Sequence, residues 1–395
     1  MKREIESRGR ALLLHTLLLV AGLGGGLLTA EAITRLFASQ ILGLRNPLMR
    51  FDPELGWLQR SGTALLGINE ADERLPIEGD PLGFRMPPQP YRESGAQTVL
   101  VVGDSMTAGN QVRFEEAWAA RVQAHLSRRH PGLQVVNAGV DGFDLVQSYR
   151  FARRLWPRFQ PRHLVVALYV GNDLREYERE AGARPPWVSA GPHEWAREHW
   201  YLFHLLSGGA RRLREEERVR RRAQERPAWR LESVPGFDEL SPAHQERLRR
   251  QFATSELLPA LRGPESARRV LSTERVLDAH LQLASERGAG FTLVVLPAKQ
   301  QIVPAQRAEW LRLHGLTPEQ ADLPQRALAA WGRARNVLVV DLAPALSRSP
   351  QPEDLFWKVD LHLTPAGHAV VAAEVSVALD GALSRMPDRE DTGLQ

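Results

Sequence analysis

Val99-Leu100-Val101-Val102-Gly103-Asp104-Ser105-Met106-Thr107-Ala108-Gly109 is the stretch that decides how this 395-residue chain is read. A β-rich apolar run passes directly into a Gly-Asp-Ser turn, and the segment after it, from Phe114 to Arg129, reads as a helix. A serine at a strand-to-helix turn holds its hydroxyl at the carboxyl edge of a sheet, beside the N–H groups that open a helix. Asp104 and Ser105 would equally serve as a plain helix cap. The choice between nucleophile and cap rests on whether a base, an orienting acid and oxyanion donors occur elsewhere.

The rest of the chain from Thr98 alternates strand and helix. Strands are predicted at Thr98–Val102, Gln134–Asn137, His163–Val170, Phe291–Leu296 and Asn336–Asp341. Helices are predicted between and after them at Phe114–Arg129, Leu145–Leu155, Ser272–Arg287, Pro324–Ala334 and Pro365–Arg385. Short β-branched runs separated by amphipathic helices imply a parallel sheet covered on both faces. The expected fold class is therefore α/β: a three-layer α/β/α domain on a flavodoxin-like five-stranded parallel sheet, spanning residues 98–386. The alternation breaks after Leu174. Residues 175–269 form a helical, lid-like insertion that leaves from the carboxyl end of a strand, where ligands of open α/β sheets bind. It carries Trp187, Trp195 and Trp200 and the mixed-charge run Arg211–Arg222, read as a solvated helix or as a basic face for anionic lipid.

At the other end, residues 1–10 carry four basic side chains and Ala11–Ala30 carries no formal charge. Twenty helical residues rise about 30 Å, enough to cross a bilayer core. The expectation is a membrane-spanning helix at 11–30, with residues 1–10 cytoplasmic and the large domain on the periplasmic side of the inner membrane. A signal peptide cleaved near Ala30-Glu31-Ala32 is the competing view, but the apolar run is long for one. Gly22 and Gly26 have GxxxG spacing within a glycine-rich run, which plain small-residue content explains. Residues 31–97, rich in Pro, Gly and interspersed aromatics, read as an extended collar on the main domain, and 387–395 as a flexible tail.

Composition removes several classes of function. The chain has no cysteine, so disulfides, zinc–thiolate sites and cysteine nucleophiles are excluded. Lys2, Lys299 and Lys358 are the only lysines, leaving 51 − 3 = 48 arginines, and the net charge is only +4. Such a balance argues against a nucleic-acid partner. No Gly-Lys-Ser/Thr follows Gly103, so the turn is no phosphate loop. His193-Glu194 lacks the second histidine of a zincin, and no metal or other cofactor is expected.

Four separated segments converge: Gly103-Asp104-Ser105, Asn137-Ala138-Gly139-Val140-Asp141-Gly142 and Gly171-Asn172-Asp173, which follow the first three strands side by side at one sheet edge, and Asp360-Leu361-His362 just before the last helix. A serine hydroxyl needs an imidazole to take its proton, and the imidazole needs a carboxylate to fix its tautomer. His362 and Asp360 offer both. His368, further along, reads as a packing or capping residue. The four blocks resemble the SGNH (GDSL) hydrolase superfamily, over about residues 46–386 with the insertion outside the likeness. The resemblance implies Ser105 as nucleophile, His362 as base and Asp360 as its orienting acid. It further implies an oxyanion hole from the Ser105 and Gly142 N–H groups and the Asn172 amide, with Gly139 as the neighbouring alternative to Gly142. Asp104 and Asp173 would brace the turns. The third block lacks the common doubled glycine, and Asp-x-His replaces the frequent Asp-x-x-His, a variant similar to polysaccharide-modifying branches. The collar run Asp52-Pro53-Glu54-Leu55-Gly56-Trp57 looks like that of a bacterial membrane-anchored subgroup. The expected function is a serine esterase or O-acyltransferase acting on an O-acyl group of an envelope carbohydrate. A lysophospholipase-like lipid esterase and a non-catalytic envelope scaffold are the alternatives, and no protein partner is implied.

Overall fold

Four apolar segments that bury side chains on both faces, with a fifth, half-buried one at an edge, pair as parallel strands, because only a sheet covered on each side satisfies them. The computed structural model describes residues 2–41, 49–52, 54–62, 65–71, 73–93, 97–177, 200–203, 206, 238–239, 245 and 257–386. The strands are β1 (Gln97–Gly103), β2 (Leu133–Gly139), β3 (His163–Tyr169), β4 (Gly290–Leu296) and β5 (Leu338–Asp341). Their order is β2-β1-β3-β4-β5, the flavodoxin-like arrangement expected from the sequence. Residues Val99 to Val102 of β1 have no exposed surface.

Helices cover both faces. α2 (Trp118–Leu126) packs on β2 and against α8 (Pro365–Ser384), which also reaches β4 and β5. On the other face α3 (Leu145–Phe159) packs on β1, α4 (Gly263–Ser285) on β3 and β4, and α7 (Leu323–Arg335) on β5. The one-turn α1 (Ser105–Ala108) sits directly after β1. Two local departures from the sequence pattern have plain causes. The helix expected from Phe114 begins as a 3₁₀ turn, Phe114–Glu116, and breaks at extended Ala117 before α2. α3 runs through Pro157 to Phe159, because Trp156 and Phe159 are both buried against the domain and Gln160 ends the helix in a left-handed turn. Helices that went unforeseen include α5 (Lys299–Ile302) and α6 (Pro304–His314), in the segment after β4 where Gln and Pro obscure the periodicity, and the one-turn helices Pro318–Ala321 and Ala343–Ser347.

The described residues of the collar between Asp52 and Glu93 pack on the domain. Leu65–Ile68 pairs antiparallel with Arg74–Ile77. Gln147 Nε2 on α3 donates to the Leu55 carbonyl at 2.6 Å, Arg154 bridges Asp52 at 2.6 Å, and buried Arg85 donates to the Gly109 carbonyl at 2.6 Å. A second compact unit holds the N-terminal helix Lys2–Ile41. It extends beyond the apolar core expected at 11–30, and its large apolar side chains from Leu13 to Leu36 are exposed. That stretch is long and apolar enough to cross a membrane. α8 is comparably apolar, but nearly half of it is buried in the domain. Within the N-terminal unit, Glu31 accepts from the Tyr201 and Leu202 N–H groups at 3.0 and 2.8 Å. Trp187, Trp195, His193, Glu194, His199, Arg211–Arg222 and the tail 387–395 lie outside the described residues, as does most of the insertion at 175–269.

At the carboxyl edge the strands close on the next element without spare room. A Cβ on Gly139 would stand 2.5 Å from the Ala108 amide nitrogen and 2.7 Å from Thr107 Cβ. Gly139→Ala therefore destabilises the domain by about 1–3 kcal/mol through overpacking against backbone. A urea-unfolding midpoint equal to that of the wild type would contradict this packing.

Candidate active site

The four blocks meet at the carboxyl edge of β1, β2 and β3. The register sets Gly103 level with Gly139 and Val102 beside Val166, so the loops that follow start from one line. Asp104 caps α1, accepting from the Met106 N–H at 2.9 Å, which holds Ser105 as the first helical residue. The other carboxylate oxygen of Asp104 accepts from Asn172 Nδ2 at 3.1 Å and so ties the third block to the serine turn. Asp173 accepts from the Tyr169 N–H at 2.9 Å and closes the loop after β3.

Ser105 Oγ lies 2.8 Å from His362 Nε2, and His362 Nδ1 is hydrogen-bonded to Asp360 Oδ1. The same oxygen accepts the His362 backbone N–H at 3.0 Å, so Asp360 binds the histidine at ring and main chain together. This order of contacts requires Nδ1–H toward the carboxylate and leaves Nε2 as the acceptor for the serine proton. The hydroxyl, imidazole and carboxylate thus form a relay able to move one proton off Ser105.

Charge around the imidazole is one-sided. Burial disfavours its protonated form, but the hydrogen bond and field of Asp360, then the fields of Asp141 and Asp104, outweigh burial and raise its pKa above the ordinary histidine value. Burial raises the Asp104 and Asp173 carboxyls, and Asp104 pushes Asp173 further up. His368 behaves differently: it is 1% exposed, its Nδ1 accepts the Trp118 N–H at 3.2 Å, and burial lowers it to about 3.

The glycine pair separates cleanly. The Gly139 N–H donates to Asn137 Oδ1 at 3.1 Å, whereas among the described residues neither the Ser105 nor the Gly142 N–H has a protein acceptor. Gly142 stands in the turn closed by the Phe143 N–H on the Val140 carbonyl, with φ of 77°, a conformation that favours glycine. The Trp57 indole packs beside it and donates to the Asp141 carbonyl at 2.9 Å. Asn172 Nδ2 has spent one hydrogen on Asp104 and keeps a second. Among the described residues no cluster of His, Asp and Glu suits a metal ion.

Residues 101–370 match the GDSL-like lipase/acylhydrolase family. The chain belongs to that family. A curated relative, the thioesterase 1/protease 1/lysophospholipase L1 of Escherichia coli (strain K12), is 30% identical over 88 residues, 22% of this chain; the chain spans only 41% of that relative's length. Among solved structures, a lipolytic G-D-S-L family protein from Desulfitobacterium hafniense DCB-2 is 14% identical, covering 71% of this chain and 99% of its own, with a TM-score of 0.37. The lipase/acylhydrolase from Enterococcus faecalis is 12% identical, covering 74% and 100%, with a TM-score of 0.39.

Three residues that the sequence left without a role stand beside these loops: Trp57 next to Gly142, Glu70 accepting the Asp360 N–H, and Lys299 donating to the Trp357 carbonyl. Trp57 and Glu70 belong to the collar, where a lone Trp or Glu carries no periodic signal. Lys299 did leave a trace, as one of three lysines among 48 arginines (51 − 3).

The electrostatics give a direct expectation. In the wild-type chain His362 titrates above the unperturbed value of about 6.5, and Asp360→Asn moves that titration downward, since it removes both the hydrogen bond and the largest favourable field. Imidazole chemical shifts followed against pH would show it; a wild-type titration at or below the ordinary value would contradict this geometry.

Proposed function

We propose that this protein is a serine esterase or O-acyltransferase that works through an acyl-serine at Ser105. The observation that carries the reading is the continuous contact from Ser105 Oγ through His362, at 2.8 Å, to Asp360. His362 Nε2 takes the serine proton as Oγ attacks the ester carbonyl, and Asp360 stabilises the imidazolium that results. The developing oxyanion is received by the Ser105 and Gly142 N–H groups and the remaining Asn172 amide hydrogen. Loss of one such donor typically costs about 3–4 kcal/mol of transition-state stabilisation. His362 then returns the proton to the departing alkoxide oxygen. Water or a sugar hydroxyl, deprotonated by the same imidazole, attacks the acyl-serine and frees Oγ. Asp104 and Asp173 act by holding the Ser105 and Asn172 turns.

The substrate we favour is an O-acetyl or other O-acyl group on an envelope carbohydrate. Three features support it: the Asp-x-His spacing, an N-terminal helix long and apolar enough to anchor the chain, and the partly exposed Trp57 beside Gly142, an indole suited to stacking on a sugar. The helix is read as an uncleaved anchor with the domain on the periplasmic side; removal near Ala32 would also discard the Glu31 contacts to residues 201 and 202. The alternative, a lysophospholipid substrate, is favoured by the likeness to the Escherichia coli thioesterase 1/protease 1/lysophospholipase L1.

Full-length protein in detergent is expected to react with a fluorophosphonate probe and to hydrolyse a short-chain aryl ester, and Ser105→Ala to do neither. Equal labelling and turnover by wild type and mutant would overturn the enzyme reading. Asp360→Asn should keep the fold while kcat drops by roughly 10³–10⁴-fold, and full activity would reassign the acid. Because neutral imidazole is the base, kcat/KM should rise with pH through the raised His362 pKa. Acetate release from an acetylated polysaccharide, set beside fatty-acid release from a lysophospholipid, separates the two substrate classes.

A further inference from the structure

The acid and the base sit on one short loop, and that loop is gripped from two sides by opposite charges. Its neck is closed by the bridge between Phe356 and Leu363 and by the Trp357 N–H on the His362 carbonyl at 3.0 Å. From the collar, Glu70 accepts the Val359 N–H at 2.9 Å and the Asp360 N–H at 2.9 Å. From α5, the Lys299 ammonium donates to the Trp357 carbonyl at 2.6 Å and the Lys358 carbonyl at 2.7 Å. Two adjacent amides and two adjacent carbonyls of the same loop are thus held by an anion and a cation.

We propose that Glu70 and Lys299 are positioning residues that fix Asp360 and His362 in the geometry of the relay, so that the collar is a working part of the active site. The inference rests on the serine-esterase reading for its kinetic consequences, although the clamp itself is a matter of loop geometry. Hydrogen bonds to charged groups are shorter and stronger than neutral ones, and four of them converge on four consecutive residues. Lys299 is 2% exposed, a costly place for an ammonium unless it is hydrogen-bonded, as it is to the Trp357 and Lys358 carbonyls. Burial lowers it to about 8, against the favourable fields of Glu70 and Asp360, the charged groups that bear on it. Its identity also fits. Two neighbouring carbonyls call for a compact point donor on a flexible stem, and a planar guanidinium would fit poorly. In a chain that uses arginine nearly everywhere, lysine was kept here.

A clamp that only stabilised the fold would shift melting temperature and leave the chemistry of His362 untouched. A positioning clamp moves kcat and the histidine together. The test uses full-length Glu70→Gln and Lys299→Met in detergent, with Ser105→Ala as the inactive reference. Both variants are expected to lower kcat on a short-chain aryl ester about tenfold to a hundredfold, with KM changed less than about twofold, because neither residue is placed against substrate. The acid limb of the kcat/KM profile should shift downward, and the downfield His362 Nδ1 proton resonance should move or broaden. Unchanged kcat, pH profile and Nδ1 resonance in both variants, beside an active wild type, would overturn the clamp. Should the wild type itself lack esterase activity, the catalytic reading fails, and the Nδ1 resonance still decides the clamp. Should Lys299→Met not fold, Glu70→Gln, at a partly exposed position, carries the comparison.

Discussion

The parallel register of β1, β2 and β3 is the constraint on which the site depends. Gly103 opposite Gly139, and Val102 opposite Val166, align three strand ends to within two residues, so that three loops emerge side by side. Alignment alone would leave the loops free to splay. Side chains cannot fill the space at the edge, since a Cβ on Gly103 would stand 2.4 Å from Thr107 Oγ1 and 2.9 Å from the Ala167 carbonyl. Backbone therefore packs on backbone, and polar groups do the joining. Asn172 reaches Asp104, and Asn137 Nδ2 reaches the Thr107 carbonyl at 2.9 Å while its Oδ1 takes the Gly139 N–H. Asn137 uses both ends of its amide to bind the second loop to the serine turn, and in doing so occupies the Gly139 donor and leaves Gly142 with its own.

What the sequence made legible follows from this division. The sheet was readable because strands buried on both faces are continuous apolar runs, and the five predicted strands match the observed ones within three residues at every end. The Ser105 turn and the loops carrying Gly142 and Asn172 were legible because each sets a fixed residue type beside a strand end, and Asp360 and His362 because they stand two residues apart just before the last helix. The supports were not. Glu70 lies 290 residues from Asp360 in sequence, and nothing local distinguishes it from any other collar carboxylate. The helices α5 and α6 escaped for a different reason: Lys299, Gln300 and Gln301 are all buried at 4% or less, so polar side chains occupy positions where periodicity looks for apolar ones. Long-range hydrogen bonding overrode local patterning there.

Electrostatically the site is an acidic pocket with buried cations at its margins. Asp104, Asp141 and Asp360 all act on His362 with the same sign, which favours imidazolium and suits a mechanism in which positive charge appears on the ring. Left uncompensated, so many carboxylates would repel one another and raise each other's pKa, as Asp104 does to Asp173. Arg85 and Lys299 supply the balance. Both are buried, both hold backbone carbonyls, and Arg85 feels Asp141 as Lys299 feels Asp360. The cations therefore hold the loops while offsetting the acids, which lets the field at the imidazole stay strong without disordering the loops that create it.

Placing Asp360 two residues from His362 has a structural consequence. When acid and base come from separate elements, the sheet or helix under each fixes its position independently. Here one loop carries both, so any rotation of that loop moves them together: the Asp360–His362 contact would survive while the distance to Ser105 changed. The internal bond cannot sense that error. Only contacts from outside the loop can, and the sheet supplies few of them because the loop belongs to the connection between β5 and α8. The collar and α5 fill that gap, one from each side, and they meet the loop at its backbone, where substitution of the loop's own side chains leaves the grip intact.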